Sequence, residues 1–109
     1  MTLVQKQVLE RSQRAILNDQ FRASGFGVTF TNGVQSVRDL PGLMEAIRYY
    51  DDFNKDNDPW GEHDFGKIVW NGDTVFWKID YYDKTLTDWE DPLLGSCQRV
   101  MTVMLAEEY

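Results

Sequence analysis

The sequence predicts an α+β protein: a single globular domain over residues 1–109, with an antiparallel sheet of about four strands and two helices in the order α-β-α-β-β-β. Three observations predict it. Two stretches, one near the N-terminus and one from Leu40 to Phe53, space their apolar residues at helical intervals. The second half of the chain carries runs of β-branched and aromatic residues punctuated by an Asn-Gly turn. Strands that follow one another, without a helix between each pair, build a sheet with helices on one side. At 109 residues and 42% hydrophobic content, the chain is long enough to bury a core without covalent staples.

The first helix runs from Leu3 to about Gln20. Val4, Val8 and Ala15, with Leu9, Ile16 and Leu17, recur at helical spacing, and Lys6, Glu10, Arg11 and Arg14 face away from them. Ser24-Gly25 ends it. Gly27-Val28-Thr29-Phe30-Thr31 then reads as a strand, and Asn32-Gly33 as a turn. Asp39 caps a second helix from Leu40 to Phe53, with Pro41 in its first turn and Leu43, Met44, Ile47 and Tyr50 as its apolar stripe. Lys67–Trp70 and Thr74–Tyr81, joined through Asn71-Gly72-Asp73, form a hairpin. In its second strand Val75, Trp77, Ile79 and Tyr81 make an apolar face, and Phe76, Lys78, Asp80 and Tyr82 a mixed one. Trp70, Trp77, Phe76 and Phe30 are the aromatic residues expected in the core. Thr85 to Gly95 is turn-rich. Arg99–Ala106 reads as a strand from its β-branched content, with a helix as the alternative.

Charge is the strongest functional signal. The net charge is −7, and residues 51–92 hold twelve of the eighteen acidic residues against four lysines and no arginine, a balance of −8. Residues 1–50 are at +2. A negative face repels phosphate backbones and attracts cations or basic protein surfaces, so direct nucleic-acid binding through it is not expected. Cys97 is the only cysteine, which excludes an internal disulfide and a cysteine-based metal cluster. The N-terminus lacks the apolar run of a signal peptide and no segment approaches transmembrane length, so the expected location is the cytoplasm.

The segment Asp51–Gly66 concentrates acidic residues, Trp60, two phenylalanines and the only histidine in a stretch that reads as a loop. Asp52, Asn54, Asp56 and Asp58 alternate as in the first half of an EF-hand loop. The match then fails, because the sixth position is Asn57 and the twelfth is His63. The plain alternative is a solvated loop whose Asp and Asn side chains bond nearby backbone amides. No cofactor or metal is expected. The candidate partner-binding residues are Asp51, Asp52, Asp56, Asp58, Trp60, Glu62 and Asp64. Aromatic anchors framed by carboxylates suit a partner's basic residues. Asp73, Asp80, Asp83, Asp88, Glu90 and Asp91 continue the acidic surface. The competing reading is a metal-dependent hydrolase built on Asp58, Glu62, His63 and Asp64.

Several blocks together resemble the bacterial domain-of-unknown-function 3768 family: Asn57–Gly66, Phe76–Asp83 and Arg99–Tyr109, with Asn18–Arg22 and the Thr31–Val34 turn. The resemblance covers nearly the whole chain and implies a small cytoplasmic bacterial protein from genomes rich in plasmids and phages. It implies no activity and no catalytic residues. The expected function is therefore a non-enzymatic binding protein of mobile-element type. It would occupy a basic, nucleic-acid-binding surface of a partner, as small acidic anti-CRISPR and antirestriction inhibitors do. Its oligomeric state is open.

Overall fold

The computed structural model describes all 109 residues and has three α-helices and one four-stranded sheet. Helix α1 spans Leu3–Ser24. Thr2 opens it with a reciprocal cap: its hydroxyl accepts from the Gln5 amide at 3.1 Å, and the Gln5 side chain accepts from the Thr2 amide at 2.8 Å. Gly25, at φ 74°, closes it. It runs four residues past the expected end, because Asn18 and Arg22 are buried on the same face as Ala15. The N-terminal half projects beyond the sheet. Val4 and Val8, on the stripe expected to be buried, are 67% and 54% exposed. Arg11 and Arg14, expected to face away, turn towards the loop described below.

Strand β1 (Val28–Phe30) leads into a one-turn helix, α2 (Asn32–Gln35), where a turn was expected. The reason lies at the other end of the chain. The Glu108 carboxylate accepts from Gly33 N–H at 3.0 Å and from the Thr31 hydroxyl at 2.6 Å, satisfying the start of α2. These bonds hold the Glu108 carboxyl below its usual range. Helix α3 spans Leu40–Arg48, with the Asp39 side chain accepting from Gly42 N–H. It stops short of Phe53: Tyr50 N–H bonds to the Ile47 carbonyl in a tightened last turn, and the Tyr50 carbonyl beyond it accepts from Arg22 at 2.9 Å. The Tyr50 ring then packs edge-on against Phe53 and Trp77.

Strands β2 (Phe65–Trp70), β3 (Asp73–Tyr82) and β4 (Gln98–Leu105) follow, and the final strand is settled as a strand. The β2–β3 turn is Asn71-Gly72, with φ of 48° and 88°, the left-handed pair that a two-residue hairpin needs. The sheet order is β1-β4-β3-β2. Both pairs within β2–β4 are antiparallel, but β1 lies parallel to β4, with Val28 opposite Met101. A parallel pair needs a long crossover connection, and α2, α3 and the β2–β3 hairpin supply it between β1 and β4. The core is Val34, Leu43 and Ile47 from α2 and α3 against Val75, Trp77, Ile79, Met101 and Val103 from the sheet. Phe76 lies on the opposite face instead, where it clusters with Phe65 and Tyr109. Only 14 residues are buried, so the apolar core is thin and one-sided. A second, polar layer joins α1 to the rest.

Candidate functional site

The loop from Tyr49 to Asp64 joins α3 to β2, and its own amides and side chains shape it. The Asn54 side-chain oxygen accepts from the amides of Asp56 and Asn57 at 2.8 and 3.0 Å. Asn57 returns the contact, accepting from Asn54 N–H at 2.9 Å and donating to the Asp52 carbonyl at 2.7 Å. Asp58 accepts from the amides of Glu62 and His63. These are Asx turns, the plain alternative the sequence offered for this composition. No three His, Cys, Asp or Glu side chains come together as a set that could hold a metal ion.

The loop is fastened to α1 through charge. His63, at φ 56°, swings its ring back so that Nδ1 sits 3.0 Å from both Asp19 oxygens and Nε2 3.7 Å from Asp58. The ring stacks on Phe53, 3.8 Å between centroids and 4° from parallel. Arg22, 4% exposed, donates to Asp19 at 3.0 Å and lies over the Trp77 ring at 4.9 Å. Arg14 pairs with Glu62 at 3.5 Å, and the Arg11 guanidinium sits 5.5 Å from the Trp60 ring centre. Asn18 is the centre of this seam and is fully buried. It donates to the Glu62 carbonyl at 2.9 Å and to the Tyr81 hydroxyl at 2.8 Å, and accepts from Arg99 Nε at 2.7 Å. Burial pushes the Tyr81 hydroxyl up to about 12, so it stays protonated.

A cleft of about 380 Å³ opens between α1 and the loop, walled by Val8, Arg11 and Ser12 on one side and Phe53, Trp60 and His63 on the other. Both His63 nitrogens are directed at carboxylates, so the ring acts as a pin between α1 and the loop.

The expected site residues therefore divide. Asp51, Asp52 and Asp56 are exposed and enter no ion pair, and Trp60 in the same loop is 65% exposed. Asp58, with its side chain 8% exposed, and Glu62 are bound into the seam. Asp64 points elsewhere, into a smaller pocket at the end of β2. Of the four residues in the hydrolase reading, Asp58 and His63 pair at 3.7 Å, and the Glu62 and Asp58 carboxylates lie near enough to Asp64 to help raise its carboxyl. Sequence reading missed Asn18, Asp19 and Arg22, and it gave Arg11 and Arg14 the wrong side. One signal was available: Asn18 and Arg22 continue the Val4-Val8-Ala15 stripe at helical spacing, and polar residues on a buried stripe need polar partners.

Fold and seam together define a small α+β domain whose carboxylates are partly structural and partly free. The chain belongs to the family described as "Protein of unknown function (DUF3768)", whose model matches residues 30–108 and so begins after α1. No curated protein and no solved structure matches the chain. No helix is long and apolar enough to cross a membrane.

Proposed function

We propose that this is a non-enzymatic binding protein whose acidic loop occupies a basic, nucleic-acid-binding surface of a partner protein. It would act in the cytoplasm, in the manner of a mobile-element or phage inhibitor of anti-CRISPR or antirestriction type. One observation carries the reading: a loop fixed by its own Asn and Asp bonds carries three unpaired carboxylates and an exposed tryptophan. Asp51, Asp52 and Asp56 take the place of phosphates, and Trp60 is the anchor. A loop already held in shape loses little conformational entropy on binding, which favours affinity. Free carboxylates add steering towards a positive surface. Nucleic acid itself is not a partner in this reading.

The experiment is capture of the partner from bacterial host lysate, with duplex DNA as competitor. The triple variant Asp51→Lys, Asp52→Lys, Asp56→Lys leaves the seam intact and is expected to weaken capture at least about tenfold, as is Trp60→Ala. Wild-type capture is expected to yield to DNA. Capture that survives the triple reversal, or that DNA does not displace, defeats the proposal.

A further inference from the structure

Strand β3 is longer than its neighbour β2, and the mismatch leaves a notch. Asp64, just before β2, accepts from Ile79 N–H at 2.8 Å. Further along the same edge, Asp83 N–H donates to the Asp88 carbonyl at 2.8 Å, and Trp89 bridges to Tyr82. Tyr81 lies between these two pairs. By the alternation of an antiparallel ladder, its N–H and carbonyl face the same edge, and the bridge between Tyr82 and Trp89 sets the Tyr81 carbonyl opposite the Glu90 amide. The notch is a pocket of about 250 Å³ lined by Asp64, Ile79, Asp80, Tyr81, Tyr82 and Trp89.

Its size and chemistry define its occupant. A volume below the roughly 300–1,000 Å³ of small-molecule sites suits one side chain better than a cofactor. Trp89 is 71% exposed, far more than packing requires, and offers an aromatic face held in place by its bridge to Tyr82. Asp80 already holds Lys78 at 3.2 Å. Asp64 has no cationic partner and accepts from no other side chain. Burial, with Glu62, Asp58 and Asp80 nearby, pushes its carboxyl up to about 6, so it is an anion in a place short of positive charge.

We propose that this notch is a receptor for a single arginine side chain, with the guanidinium stacked on Trp89 and bonded to Asp64. A planar guanidinium can stack its face on the aromatic ring while its edge donates to the carboxylate. An ammonium, a compact point charge, satisfies the carboxylate alone. The inference rests on the preceding reading for its source of arginine, a basic partner protein, but the receptor is a separate site from the Asp51–Trp60 surface.

The test is a titration of the full chain with N-acetyl-arginine amide, N-acetyl-lysine amide and N-acetyl-citrulline amide, followed by the Trp89 indole N–H in NMR spectra. Arginine amide is expected to bind with a Kd on the order of millimolar. Lysine amide should bind at least about threefold more weakly, and neutral citrulline amide not measurably. Asp64→Asn and Trp89→Ala should each weaken arginine binding about tenfold, and Glu107→Gln should leave it unchanged. Asp64→Asn removes a carboxylate whose charge burial disfavours, and Trp89 is exposed, so both variants should fold. Lysine bound as tightly as arginine, citrulline bound like arginine, or wild-type affinity in Asp64→Asn would each overturn the proposal. Loss of arginine binding with partner capture intact rejects the receptor alone. Arginine binding without any partner capture rejects the inhibitor reading alone.

Discussion

Replacing Asn18 by alanine should cost more than its size suggests. The side chain is fully buried and serves three groups from three separate segments: the Glu62 carbonyl, the Tyr81 hydroxyl and Arg99 Nε. Truncation leaves all three without that partner. The bond from Arg99 is charge-assisted and worth about 1.5–3 kcal/mol, and the other two are worth about 1 kcal/mol each. The partners are only partly buried, so water entering the vacated space recovers some of this. The net expectation is a loss of about 3 kcal/mol, or about 12 °C in Tm at the roughly 4 °C per kcal/mol of a domain this size. Urea denaturation followed by circular dichroism measures it. The variant Asn18→Asp keeps an acceptor for Arg99 but loses the donors, and should lose less than half as much. Amide exchange should rise at Glu62 and His63, because the bond that ties this part of the loop to α1 is gone. A loss below about 1 kcal/mol for Asn18→Ala, or equal losses for Ala and Asp, would refute Asn18 as the fastening of the seam.

Other outcomes follow from the same geometry. Asp64 has its carboxyl raised from 3.8 to about 6, so the protonated form stabilises the fold at low pH, and that contribution is lost as pH rises through about 6. Asp64→Asn should therefore gain about 1 kcal/mol over wild type at about pH 7.5, discounted because water reaches the carboxylate, and nothing below about pH 4. Urea is the denaturant for that comparison, since guanidinium would compete for the proposed notch. At Gly66 an added Cβ would meet the Trp77 indole across the β2–β3 pair, so Gly66→Ala should cost about 1–3 kcal/mol in the same assay. His63→Ala removes the Phe53 stack and the Asp19 contact, and should destabilise by about 1–2 kcal/mol; an unchanged denaturation midpoint would show that the ring is no pin.

What the sequence disclosed and what it hid follow from how far apart the interacting residues lie. The Asn71-Gly72 hairpin and the Val75-Trp77-Ile79 face were legible because turn geometry and strand alternation are local. The parallel β1–β4 pair was not, because it joins residues about seventy positions apart and leaves no periodic trace. The start of α2 depends on Glu108, near the far end of the chain, so Asn32-Gly33 read as a turn. The segment that follows α3 is held by Arg22 donating to the Tyr50 carbonyl, a contact between distant residues that helix propensity does not encode. Phe76 read as core because its neighbours are. One position of register places it on the outer face with Phe65 and Tyr109. In the candidate site, composition identified the acidic loop but could not separate carboxylates that hold the fold from those it leaves free.

That separation changes the meaning of the net charge. In the seam Arg14 pairs with Glu62, Arg22 with Asp19, and Arg11 and Arg99 add two more cations, four arginines against the three carboxylates of Asp19, Asp58 and Glu62. The seam carries no net negative charge, so the negative charge of the chain falls on the remainder of the molecule. Carboxylates such as Asp51, Asp52 and Asp56 enter no ion pair, and like charges near one another repel, so the fold gains nothing from them electrostatically. Solubility alone would be served by charge spread over any exposed loop. It does not require that these carboxylates sit on a loop cross-braced by Asn54 and Asn57 that also leaves a tryptophan 65% exposed. Rigid presentation of unpaired charge next to an apolar anchor is a requirement of recognition, and that combination favours a partner over a merely solvated surface.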